Sequence, residues 1–126
     1  MYERGFSKMA AKKVNKEDTI TYKGVKYRLV FNLNVMEEVQ NEYGSVTAWL
    51  NMVSADEEPN IKALKYGLTK AINEGIDIYN DENDAERPFF SEKQIGRIIT
   101  EVGLTQATTA LNNVVIESTK TDEKNL

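Results

Sequence analysis

The sequence predicts an α+β fold, mainly α: an N-terminal β-hairpin followed by about five short helices. Two observations carry this expectation. Apolar and polar residues alternate from Ile20 to Phe31, and from Val35 onward apolar residues recur at helical spacing. The later stretches are also punctuated as helices, with Asn or Ser before them and Gly after them.

Ile20 to Phe31 reads as a hairpin turning at Lys23-Gly24, where glycine supplies the positive φ of a two-residue turn. This register pairs Tyr22 with Val25 and Ile20 with Tyr27. It puts Ile20, Tyr22, Val25, Tyr27, Leu29 and Phe31 on one face, and Thr21, Lys26 and Arg28 on the other. Two strands are marginal alone, so helices or a second copy of the sheet must cover the apolar face.

Asn34 is the expected cap of the first helix, with Glu37 in a capping box, a stripe of Val35, Met36, Val39 and Tyr43, and Gly44 as its end. Ser45 caps a second helix that buries Val46, Trp49, Leu50 and Val53. After an acidic loop, Ser54 to Pro59, a third helix starts near Pro59, carries Ile61, Leu64, Leu68 and Ile72, and stops at Gly75. Ile76 to Phe90 reads as a long acidic loop. Ser91 and Gln94 form the capping box of a fourth helix, with Ile95, Ile98, Ile99 and Val102 inside and Gly103 breaking it. The fifth helix, about Thr105 to Ser118, buries Ala107, Leu111, Val114 and Val115. One globular domain is expected at 19–119, between a flexible basic arm at 1–18 and a frayed polar tail at 120–126. Met9 opens a second possible amino terminus within the arm.

The 126 residues include no cysteine and no histidine, which removes disulfides, thiolate nucleophiles, zinc-thiolate sites and the usual general base. Carboxylate, lysine, tyrosine or serine chemistry remains, but no phosphate-cradling glycine loop occurs. Glu37, Glu38, Asp56, Glu57 and Glu58 read as solvated. Asp77, Asp81, Glu82, Asp84 and Glu86 resemble a calcium loop only in composition. Counting from Asp77 puts Glu82 at the glycine position and Pro88 at the twelfth, and counting from Asp81 puts Glu86 in place of the glycine. The expectation is therefore no enzyme, no cofactor and no metal. The chain has no apolar run of membrane-spanning length and no signal-like start, so a soluble, cytoplasmic protein is expected.

The net charge of −4 divides into +5 over residues 1–30 and −9 over 31–126. Arg4, Lys8, Lys12, Lys13 and Lys16 suit either nucleic-acid phosphates or an acidic surface such as another copy's body. Tyr22, Tyr27 and Trp49 read first as core residues and second as contact anchors. Phe89 and Phe90 cannot both point the same way before a helix N-cap, so one staples the helix and the other is free for a partner. Tyr22, Lys26, Tyr27, Arg28, Trp49, Phe89 and Phe90 are the candidate partner or self-association residues.

The order of ITYKGVKYRLVF, NLNVMEEVQNEYGSVTAWL, KALKYGLTKAINEGIDIYN and FFSEKQIGRIITEVG with a closing helix resembles the tail assembly chaperones of long-tailed bacteriophages and prophages. The similarity covers about Thr19 to Ser118; the basic arm departs from it. The resemblance implies a non-enzymatic chaperone in the host bacterial cytoplasm, absent from the finished virion. Such a protein binds and solubilises the tape measure protein, helps recruit tail tube protein and self-associates. It also implies a longer frameshifted form. Glu123-Lys124-Asn125 can be encoded with the slippery heptamer A AAA AAC, so an overlapping minus-one frame is the expected companion. A different phage structural or adaptor protein, at the head–tail joint or tail terminus, remains an alternative, as does a small nucleic-acid-binding regulator.

Overall fold

The computed structural model describes residues 19–54 and 58–125, with side chains as far as Thr119. The expected arm at 1–18, Ala55, Asp56 and Glu57 of the first acidic loop, and the side chains of the expected tail lie outside the described residues.

Strands β1 (Thr19–Tyr22) and β2 (Val25–Arg28) form the hairpin in the expected register, with Ile20 opposite Tyr27 and Tyr22 opposite Val25. Lys23 and Gly24 both take positive φ, 52° and 78°, the combination that lets a two-residue turn follow the twist of its strands. Ile20, Leu29 and Phe31 are buried, while Thr21, Lys26 and Arg28 are exposed. Five helices follow, α1 (Leu33–Tyr43), α2 (Val46–Val53), α3 (Ile61–Asn83), α4 (Glu92–Val102) and α5 (Leu104–Asn125), and α3, α4 and α5 pack against the hairpin.

The helix starts follow the side chains that can reach orphan amides. Ser45 accepts from Ala48 N–H, and Ser91 and Gln94 form the full capping box of α4. The first cap is Asn32 and not the expected Asn34. Asn32 Oδ1 accepts from Val35 N–H at 3.2 Å, whereas Asn34 lies in the first turn and donates to Glu74, so no box forms with Glu37. Pro59 stays outside α3, whose cap is Asn60, and Ile61 is half exposed instead of joining the buried stripe.

The main correction concerns the end of α3. Gly75 does not stop this helix, which continues for two further turns to Asn83 and buries Ile76. The terminator is Asp84 in the left-handed region, φ 51°. The fifth helix likewise extends beyond Ser118 to Asn125. Neither long helix is short in the sense expected.

The remnant of the predicted acidic loop, residues 85–90, runs back along α3 on two asparagine clamps. Asn80 accepts from Arg87 N–H at 2.9 Å and donates to Arg87 C=O at 3.0 Å. Asn73 does the same for Phe90, at 2.9 Å for both bonds. The spacings match: seven helical residues rise about 10.5 Å, and three extended residues span about 10 Å. Asn73→Ala leaves both polar groups of Phe90 without this partner. A loss of about 1–3 kcal/mol is expected in denaturant unfolding; an unchanged midpoint would show that the clamp is dispensable.

The core centres on Trp49, which is fully buried and stacks on Phe31 with ring centroids 5.6 Å apart and planes 9° from parallel. Around it lie Leu64, Leu68 and Ile72 of α3, Ile95 and Ile98 of α4, and Leu111 of α5. Among the described residues no helix is long and apolar enough to cross a membrane.

Candidate interaction surfaces

The hairpin and the segment before α4 bring three of the candidate residues together. Phe90 meets Tyr27 edge-on at 5.2 Å and Tyr22 at 6.4 Å, so it closes the hairpin's apolar face against α4. Its neighbour Phe89 turns the other way and is 55% exposed. The two phenylalanines thus diverge, Phe90 onto the hairpin tyrosines and Phe89 outward. Trp49 is a correction: with no exposed surface it offers nothing to a partner of the folded domain.

Lys26 and Arg28 lie at the rim of a 210 Å³ groove between β2 and the second half of α3, whose walls include Val30, Ile78 and Tyr79. Arg87 joins them there. Its guanidinium stacks on Tyr79 at 3.8 Å from the ring centre and approaches Tyr27 at 5.9 Å. In this register the N–H groups of Lys26 and Arg28 point away from β1. The Arg28 carbonyl is already pressed against Gly75, and Val30 N–H donates to Ala71 C=O at 3.1 Å. Helix α3 thus covers the outer edge of β2 from Arg28 onward and shortens what strand addition can use.

Two residues that the sequence reading did not assign to a surface, Ile61 and Leu104, open a second groove of 350 Å³ between α3, α4 and α5, floored by Gly96 and Ile99. They are 49% and 40% exposed. Helical spacing placed Ile61 with the core because it lies three residues before Leu64, but at the first turn of α3 that face has already run past the core. Leu104 follows directly on the chain-breaking Gly103, a position where periodicity gives no signal.

The acidic residues do not gather. Asp77, Asp81 and Glu82 lie along α3 and Asp84 is its C-cap; no cluster of metal-ligating side chains occurs among the described residues.

The groups with shifted pKa values form a structural network. Lys70 Nζ pairs with Glu38 at 2.7 Å, and Tyr66 donates to the Glu38 backbone carbonyl at 3.0 Å. The hydrogen bond that Lys70 donates to Glu38 raises Lys70 above its ordinary 10.5, against a smaller opposing effect of burial. Burial raises Tyr43 and Tyr66 above 10.0, helped at Tyr43 by the Glu42 and Glu92 charges and opposed at Tyr66 by Lys70. In each case the folded chain holds its proton to higher pH than the unfolded chain does. Stability from these groups is therefore full below about pH 10 and falls as pH rises through the folded values. Thermal melting should drop in that alkaline window, with a shallower slope for Tyr43→Phe combined with Tyr66→Phe. The Tyr43 hydroxyl is buried without a hydrogen-bond partner among the described residues. Tyr43→Phe alone is accordingly expected to change stability at neutral pH by less than about 1 kcal/mol, or to raise it; a larger loss would mean that the hydroxyl is satisfied.

The architecture defines a small helical scaffold with a hairpin packed on it and grooves at its helix junctions. Comparison with protein-family models, with curated proteins and with solved structures finds no match.

Proposed function

We propose that the protein is a non-enzymatic tail assembly chaperone of a long-tailed phage or prophage, which binds the tape measure protein in the bacterial cytoplasm and helps bring tail tube subunits to it. The observation that carries the binding role is the groove at Ile61 and Leu104. Two partly exposed aliphatic side chains over a glycine floor suit an apolar segment of a helical client, because hydrophobic burial makes no strict demand on sequence. The identity of the client comes from the resemblance in the order of sequence features, ITYKGVKYRLVF through SEKQIGRIITEVG.

This reading expects a tape measure gene beside this one, and co-expression with its product is the test. The unmodified chain should keep that long protein in the soluble fraction, and Ile61→Glu with Leu104→Glu should fail to do so while the variant itself stays folded by circular dichroism. Mass spectrometry of purified virions should find the tape measure protein and not this chain. Recovery of the chain in the particle would overturn the reading in favour of a structural or adaptor role.

A further inference from the structure

Two grooves that share Tyr27 make a cationic, aromatic track across the hairpin. The first is the β2–α3 groove, whose lining includes Lys26, Arg28, Tyr79 and Arg87. The second, of 380 Å³, lies between the hairpin and α4, where Tyr22, Lys23, Phe90, Gln94 and Arg97 line it with Tyr27. Together the grooves hold five cations, and Glu82 is the one carboxylate among their lining residues, on a chain that carries −9 from residue 31 onward. None of the five cations is ion-paired among the described residues. The rings lie where the cations do. Lys23 Nζ is 5.4 Å from the centre of the Tyr22 ring, and the Arg87 guanidinium is 5.9 Å from that of Tyr27 and 3.8 Å from that of Tyr79. Phe90 meets Tyr22 and Tyr27 edge-on, and neither contact is a stack. An acidic peptide answers the cations alone, whereas a nucleotide brings a flat π-face and a negative charge on one unit. A duplex keeps its bases stacked inside, out of reach of part-buried rings; a single strand can offer them.

We propose that this track binds single-stranded nucleic acid, with bases against Tyr22, Tyr27 and Phe90 and phosphates on Lys23, Lys26, Arg28, Arg87 and Arg97. The length fits. From Val25 to Arg28 strand β2 runs about 10 Å, and stacked nucleotides rise about 3.4 Å each, so two or three nucleotides occupy the track. The groove of 380 Å³ falls in the range of roughly 300–1,000 Å³ typical of small-molecule sites, which gives room for a base and its sugar. Every base has a π-face, so binding here is tolerant of sequence. None of these residues lines the groove at Ile61 and Leu104. Nucleic-acid binding and client binding therefore stand or fall separately.

Fluorescence anisotropy of the full chain with labelled oligouridylate and oligothymidylate tests it. Log K should fall with log salt at a slope of about −2, the value for about three phosphates of a single strand. Lys26→Gln with Arg28→Gln should weaken binding about tenfold at low salt and flatten the slope by about 1. Tyr22→Leu should also weaken it about tenfold but leave the slope unchanged, while Tyr22→Phe, which keeps the ring, should bind like the parent. Lys23→Gln with Arg97→Gln, both at exposed positions, probes the same groove without touching the core and should weaken binding as the β2 pair does. Circular dichroism checks that each variant is folded. Lys12→Gln with Lys13→Gln and Lys16→Gln, in the basic arm, should preserve the dependence on Tyr22. Tighter binding of the uridylate identifies RNA as the ligand and of the thymidylate DNA, and either upholds the proposal. Absence of binding at low salt, binding abolished by the arm variant alone, or folded groove variants that bind like the parent would overturn it. Oligoglutamate that competes as well as the oligonucleotides would overturn it in favour of an acidic peptide.

Discussion

Trp49→Ala is expected to destabilise the domain by about 3–5 kcal/mol, the range for removing a large buried aromatic. The indole has no exposed surface, lies flat on Phe31 and donates from Nε1 to the Ala63 carbonyl at 3.0 Å. Its six-membered ring also rests where a Cβ on Gly67 would be, so α2 and α3 approach each other through the ring itself. Truncation thus removes the stack, a buried hydrogen bond and the filling between two helices, and the helix backbone cannot close the gap without moving Leu64 and Leu68. Domains of this size hold only about 5–15 kcal/mol in total, so the variant should be close to unfolding at growth temperature. Trp49→Phe, which keeps an aromatic ring but loses the N–H, should fall between. Urea unfolding followed by far-ultraviolet circular dichroism measures both; a midpoint for Trp49→Ala near that of the parent would mean that the core tolerates the cavity. Any loss of client binding by Trp49→Ala should scale with its unfolded fraction, unlike that of Ile61→Glu with Leu104→Glu.

The hairpin was legible because a strand alternates with a period of two, and a single turn glycine sets its register. Lengthening the loop by one residue would put Ile20 and Leu29 on opposite faces, and among two-residue turns the position of the glycine decides. Helix caps were legible only where one candidate stood alone. Ser45 and Ser91 had no rival, but Asn32 and Asn34 are both good caps two residues apart. The choice between them falls to Glu74, which is 42 residues from Asn32 and accepts from it at 2.7 Å. The interaction surfaces were the least legible part. Phe89 could be picked out because an adjacent aromatic pair must diverge, whereas Arg87 reaches the β2–α3 groove only because Asn80 clamps its backbone. No local pattern announces that clamp.

Gly75→Ala is expected to destabilise by about 1–3 kcal/mol, the cost of overpacking, although alanine gains about 1 kcal/mol of helix propensity over glycine. A glycine after a helical stretch usually marks its end, but the same residue also serves where another backbone comes close, and here the second use prevails. A Cβ at Gly75 would overlap the Arg28 carbonyl oxygen, which belongs to a strand end and cannot swing aside as a flexible side chain does. Gly96 in α4 gives the opposite case. Its Cβ would meet only Lys65 side-chain atoms, the nearest at 3.5 Å, so Gly96→Ala should be neutral or stabilising by up to about 1 kcal/mol. Opposite signs for two Gly→Ala changes in helix interiors, read from thermal and urea unfolding, would separate close approach from propensity; equal gains at both sites would show that β2 can lift off α3 freely.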